Sequence, residues 1–190
     1  MSIAVATTAQ RLAQIQKVSR WMVWLTLAVI VGLGLLALIG LVLTWDNPQH
    51  FEAIAEEAFR FKQSAIRYSA FNWMVGSSLL IINILPLLYA LGNILLLFNG
   101  FAHARLLTME AATRLKHIGL AFIAMQPLAI LTHTIAGVLL TMNNGEGQRM
   151  LAVGIEGQHI LTLLFGGLLL VIGWVMGEAV EIAEDHKQIL

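Results

Sequence analysis

Residues 21–44 run for 24 positions without an Asp, Glu, Lys or Arg. A helix rises 1.5 Å per residue, so about 20 apolar residues cross a hydrocarbon core of about 30 Å. A cleaved signal peptide has a shorter apolar core, about 7–15 residues, that ends at a small-residue cleavage site. This run ends in Leu43-Thr44-Trp45, so it reads as an uncleaved span. Trp21, Trp24 and Trp45 stand at its two ends, where amphipathic indoles anchor a helix at the membrane interface.

Three further apolar runs follow, near 71–98, 118–142 and 160–180. The chain of 190 residues is 58% hydrophobic and 12% charged, whereas a soluble domain is about 45–50% apolar and about 25% charged. The expected fold is therefore all-α: one polytopic membrane domain over 1–190, a four-transmembrane-helix bundle. The chain has no cysteine, which excludes disulfide scaffolds, thiolate metal sites and cysteine nucleophiles. Its formal net charge is zero, and no direct nucleic-acid binding is expected.

The segments between the spans carry most of the charge. Leu12, Ile15, Val18 and Met22 lie at helical spacing among Arg11, Lys17 and Arg20, so the first span has a short amphipathic lead-in. Asn47 and Pro48 mark a helix start, because proline at the first helical position gives up an N–H that would be unpaired anyway. Over 49–70, Phe51, Ile54, Ala55, Ala58, Phe59, Ala65 and Ile66 recur at three and four, with Glu52, Glu56, Glu57, Arg60, Lys62 and Arg67 between them. This predicts an amphipathic helix that is too charged to span and lies on the bilayer surface or caps the bundle. Thr108 opens the next helix, 143–147 read as a turn, and 148–159 read as a short helix.

Orientation follows from counting Lys and Arg. The N-terminal segment, the middle connection and the tail hold seven, against four in the other two loops. The larger set belongs inside, which places both ends in the cytoplasm and the 49–70 helix outside.

Polar groups within the spans are the first candidate site. Asn83 and Asn93 are ten residues apart, close to three turns, and share a face with Pro86 and Ala90. Gln126 and His133 are seven apart on the third span. An ionisable side chain at membrane depth is by default a functional candidate, so these four residues define a possible ligand or proton-responsive site. The simpler reading is hydrogen bonding between helices. A haem pair would need a second histidine at the depth of His133. His159 lies at the edge of span four and His50, His103, His117 and His186 lie outside, so no cofactor is expected. Pro86 and Pro127 each remove a backbone hydrogen bond within a span, as in helices that merely bend.

Gly166, Gly173 and Gly177 form a small-residue stripe on the fourth span, and Gly32 and Gly40 lie on the first. Such stripes permit close helix approach, either within the chain or in a homo-oligomer. Arg105, Arg114 and Lys116 in the middle connection, and Glu181, Glu184 and Asp185 with Glu178 in the tail, form the second candidate site. They would dock a cytoplasmic protein partner or simply be solvated helix ends. No P-loop, zinc H-E-x-x-H motif, nucleophile elbow or dinucleotide fingerprint occurs, and no metal site or enzyme activity is expected.

Two stretches carry a resemblance. One is Leu107-Thr108-Met109-Glu110-Ala111-Ala112-Thr113-Arg114-Leu115-Lys116-His117-Ile118-Gly119, a basic helix ending in Ile-Gly. The other is Gly177-Glu178-Ala179-Val180-Glu181-Ile182-Ala183-Glu184-Asp185, an acidic ending after the last span. With the four-span layout, these resemble a bacterial family of four-helix membrane proteins, domain of unknown function 2975. The chain departs from the family's pattern at 101–107, where a glycine followed by phenylalanine is more usual. The resemblance implies a bacterial inner (plasma) membrane location and assigns no activity. Its members are often neighbours of small helix-turn-helix regulators, which implies a membrane protein that holds or signals to a DNA-binding partner. Two functions stand: a regulatory or scaffold protein acting through its cytoplasmic face, or a small-molecule or proton-responsive sensor or carrier using Asn83, Asn93, Gln126 and His133.

Overall fold

The computed structural model describes residues 2–45, 47–58, 68–142 and 157–188, with side chains from residue 10 onward and not at 48 or beyond 186. Among the described residues the secondary structure is helical throughout: α1 (Ser2–Trp45), α2 (Pro48–Ala58), α3 (Ala70–Ala102), α4 (Met109–Thr141) and α5 (Gly157–Gln188). Four of these contain stretches long and apolar enough to cross a membrane: Gln10–Trp45, Ala70–Ala102, Met109–Thr141 and Gly157–His186. The chain is a multi-pass helical membrane protein.

The helices outrun the apolar spans, because a helix continues until a cap or breaker stops it. α1 absorbs the amphipathic lead-in, α4 begins at Met109 just after the expected Thr108 cap and well before its apolar run, and α5 continues past 180 to Gln188. Pro86 and Pro127 sit inside continuous helices.

Local caps set the boundaries. The Asn47 carbonyl accepts the Phe51 N–H at 3.2 Å, with Pro48 at the first helical position. The Ser69 hydroxyl accepts the Asn72 N–H at 3.0 Å and its carbonyl accepts that of Trp73 at 2.9 Å, so Ser69 is the N-cap of α3. Thr108 does the same for α4, accepting Ala111 N–H on its hydroxyl at 3.2 Å and Ala112 N–H on its carbonyl at 3.1 Å. α3 ends in a Schellman motif. Arg105 N–H donates to Gly100 O at 3.0 Å and Ala104 N–H to Phe101 O at 3.1 Å, with Ala104 at φ 62°. The segment His103-Ala104-Arg105 is thus a helix stop, and the middle connection is the short stretch 103–108.

The amphipathic helix differs from its expected extent. α2 is described over Pro48–Ala58, and Tyr68 and Ser69, expected near the end of that helix, are not helical because Ser69 caps α3. Residues 59–67, which carry Phe59, Arg60, Lys62, Ala65, Ile66 and Arg67, lie outside the described residues, as do 143–156 with the last-loop turn. Residues 157–159 form the first turn of α5.

The chain divides into two compact units. One comprises Met1–Val31, Leu88–Ile123 and Thr162–Leu190; the other comprises Gly32–Leu87 and Ala124–Leu161. In the second unit part of the apolar face of α2 is packed, while Ile54 stays exposed. Phe51 and Ala55 are buried with Leu79, Ala136 and Leu140, and Tyr68, Trp73, Val75 and Leu80 pack around them. Glu52 accepts the Tyr68 N–H at 2.9 Å. The end of α1 is fastened here too: Trp73 Nε1 donates to Thr44 Oγ1 at 3.1 Å, Tyr68 Oη to Trp45 O at 2.9 Å, and the Trp45 and Trp73 rings meet edge to face at 4.6 Å. In the first unit Leu97, Ala111 and Ile118 form the core, with Ile94, Phe101, Leu115, Phe122, Leu169 and Met176 against it.

Candidate functional site

The glycine stripe of α5 is used inside the first unit. A Cβ placed on Gly166 would lie 2.8 Å from Gly119 O, and one on Gly119 would lie 2.6 Å from Gly166 O and 2.7 Å from Leu170 N. One on Gly173 would meet Ala112 O at 3.0 Å and the Lys116 Cγ at 2.7 Å, and one on Gly177 would touch Ala112 Cβ at 3.7 Å. Ala112 and Gly119 on α4 are seven apart, as are Gly166 and Gly173 on α5. Two antiparallel helices with small residues at matched spacing let their backbones touch, which is the packing alternative for such a stripe. Gly166, Gly173 and Gly177 are all buried, so the face offered for a homo-oligomer is already covered by α4.

The same seam accounts for Lys116. Its aliphatic stem lies over Gly173 and its Nζ would sit 4.0 Å from a Cβ on Gly177, the posture of a snorkelling lysine. Arg114 is likewise partly committed. Its Nη1 donates to Asn93 Oδ1 at 3.2 Å, its Nη2 lies 3.6 Å from Glu110 Oε1, and its side chain is 31% exposed. Arg105 is exposed, and so are Glu178, Glu181, Glu184 and Asp185 along the end of α5. Of the residues expected to dock a partner, the acidic tail and Arg105 face outward, whereas Arg114 and Lys116 spend much of their surface within the chain.

The four membrane-depth polar residues are divided between the two units. Asn93 belongs to the first unit, and Asn83, Gln126 and His133 to the second. Asn93 is buried, donates to Tyr89 O at 2.9 Å and accepts from Arg114. Asn83 Nδ2 donates to Thr132 Oγ1 on α4 at 2.7 Å and to Leu79 O at 3.0 Å. Gln126 is buried and His133 half-buried, and each has an interaction partner. A further amide, Asn72, joins α3 to α4 through Nδ2 to Leu140 O at 3.2 Å while almost fully buried. Thr132 was missed in the sequence because it lies off the Gln126–His133 face, and Asn72, eleven residues before Asn83 and close to its face, was not counted with the polar pair. The signals available were the Asn72–Asn83 spacing and the rule that an amide at membrane depth must find a partner.

Cavities lie elsewhere. In the second unit an apolar groove of about 250 Å³ runs between α1, α2 and α3, lined by Ala37, Gly40, Phe51, Ala55, Ser77 and Leu80 among others. One of its walls is α1, the least covered of the four spans, with 6% of its most apolar window buried. In the first unit a cleft of about 360 Å³ is lined by Gln16, Arg20, Val23, Trp24, Asn99, Ala102 and His103. A small void of about 10 Å³ beside Arg105, Thr108 and Arg114 has room for about one water.

Comparisons with protein-family models, with curated proteins and with solved structures find no match to this chain.

Proposed function

We propose that this chain is a bacterial inner-membrane regulatory or scaffold protein that works through the ends of α3, α4 and α5 on the cytoplasmic side. Both ends of the chain face the cytoplasm in this reading, α2 lies on the outer side, and the chain is not an enzyme. The observation that carries it is the end of α5. The helix continues past the apolar span to Gln188 with Glu178, Glu181, Glu184 and Asp185 exposed along it. A helix that leaves the membrane in one piece presents its charges on a rigid rod. Such an acidic rod suits a basic partner, because charge complementarity steers association and suppresses wrong partners. A small DNA-binding regulator, the partner implied by the family resemblance, has the required chemistry.

The polar residues at membrane depth support this reading over the sensor or carrier. Asn83 and Asn93 are taken up by Thr132 and Arg114, which is the expected fate of amides that hold helices together. The test is co-purification from native membranes with Glu181, Glu184 and Asp185 each changed to lysine. The proposal expects a cytoplasmic protein bound by the native chain to be lost by the variant. If every cytoplasmic protein bound by the native chain stays bound, the proposal fails.

A further inference from the structure

The cleft between α1 and α3 in the first unit has the composition of an anion site at a membrane boundary. Its α1 wall is Gln16, Arg20, Val23 and Trp24, spaced four, three and one apart so that all fall on one helix face. Its α3 wall is Asn99, Ala102 and His103, again one face. Arg20 is the last charged residue before the charge-free run 21–44, and His103 follows a helix that has no charged residue from 71 to 102. The two walls therefore reach the water boundary together, with Arg20 and His103 at the wet end and Val23 and Trp24 toward the hydrocarbon.

The donors are arranged for an acceptor-rich guest. Arg20, Trp24, Asn99 and His103 are exposed within the chain. Arg20 supplies a planar fork of N–H groups suited to phosphate, and Gln16 and Asn99 supply amide N–H₂ groups. The His103 Nδ1 lies 2.8 Å from Asn99 O. A carbonyl only accepts, so Nδ1 carries the proton, and this bond holds the ring at the mouth of the cleft. No acid lines the cleft, so nothing on its walls neutralises Arg20. Trp24 is 71% exposed, an amphipathic ring at the depth where indoles meet headgroups. A cleft of about 360 Å³ with a cationic rim and an apolar floor matches a molecule that is anionic at one end and hydrocarbon at the other.

We propose that this cleft binds the phosphate headgroup of an anionic phospholipid, with Arg20 as the principal contact and the amides of Gln16 and Asn99 beside it. The acyl chains leave along Val23 and Trp24 into the bilayer. A free phosphate ion shares the headgroup's chemistry but would gain nothing from the apolar floor.

The test uses the full chain in phosphatidylcholine nanodiscs that carry a small fraction of phosphatidylglycerol with a photoreactive group near its headgroup. Adducts are mapped by mass spectrometry. Labelling is expected to concentrate on 16–24 and 99–103, and to exceed that from the same photoreactive group on phosphatidylcholine. Arg20→Gln is expected to lower it about five-fold, the loss of one cation at a membrane surface. Arg20→Lys is expected to restore most of it, and Arg11→Gln, one exposed position outside the cleft, to leave it unchanged. Arg20 is exposed, so its loss does not threaten folding. Equal labelling by the two lipids, or labelling that survives Arg20→Gln, overturns the proposal. Complete displacement by inorganic phosphate overturns the assignment to lipid.

Discussion

Adding one methyl group at Gly119 tests the close crossing of α4 and α5. The Cβ of an alanine would lie 2.6 Å from Gly166 O and 2.7 Å from Leu170 N. Both are backbone atoms, so no rotamer change relieves the clash. Reaching ordinary van der Waals contact at 3.4 Å requires the two helices to part by about 0.8 Å, the difference between that limit and the 2.6 Å approach. Without a hydrophobic effect between helices in lipid, such a seam is held by close packing, and overpacking a well-fitted contact costs about 1–3 kcal/mol. Alanine also favours the helix over glycine by up to about 1 kcal/mol. Gly34→Ala corrects for that gain, because a Cβ on Gly34 meets nothing within 4 Å. The difference between the two variants should therefore be about 1–3 kcal/mol, read by reversible denaturant unfolding in detergent micelles. If Gly119→Ala falls within about 0.5 kcal/mol of Gly34→Ala, the scale of an ordinary surface change, the backbones do not touch there and the seam is misplaced. Gly119→Ala combined with Gly166→Ala should cost less than the two singly, since both act on one contact.

Two further changes follow from the same structure. Ala104 holds φ 62° at the C-cap of α3, where a non-glycine residue loses roughly 1–2 kcal/mol; part of the gain from glycine is returned as freedom of the unfolded chain. Ala104→Gly should therefore raise stability by about 0.5–1 kcal/mol in the same unfolding measurement, and a loss would show that the Schellman geometry is absent. Asn83→Leu and Thr132→Val remove the two ends of one 2.7 Å bond, and a double-mutant cycle should return a coupling of about 0.6 kcal/mol; strictly additive effects would mean the pair is not bonded.

The crossings were legible because charge-free runs of this length leave a chain few alternatives, and the Asn47-Pro48 and Thr108 starts were legible because capping chemistry is local. Other features depend on which neighbour a residue meets. Periodicity places Gly166 and Gly173 on one face of α5 but does not name Ala112 and Gly119 as what they touch. Asn93 and Arg114 were assigned to different candidate sites, because one lies in an apolar run and the other beside a connection. α4 begins at Met109, earlier than its apolar run, and that early start brings Arg114 level with Asn93. Ala104 was missed because the stop of a helix is usually read from a glycine, and here the geometry is adopted by an alanine. Ser69 was missed because Tyr68 and Ala70 give no break in polarity around it.

The disposition of polar groups separates the interior of the spans from their ends. Thr26, Thr134 and Thr141 return their hydroxyls to Met22, Ile130 and Gly137 carbonyls one turn back on their own helices. Asn72, Asn83 and Asn93 bridge neighbouring helices. Each such group is costly in hydrocarbon unless paired, and each of these side chains finds a partner within the chain. At the ends water pays the solvation, so charges need no partner within the chain and remain available to one outside it. Glu178, Glu181, Glu184 and Asp185 on α5, Arg105 beyond α3, and Arg20 at the mouth of the α1–α3 cleft are exposed in this way. A chain that uses its intramembrane polarity for cohesion and keeps its open charge at helix ends fits the two proposals made above, a lipid headgroup at Arg20 and a partner at the end of α5.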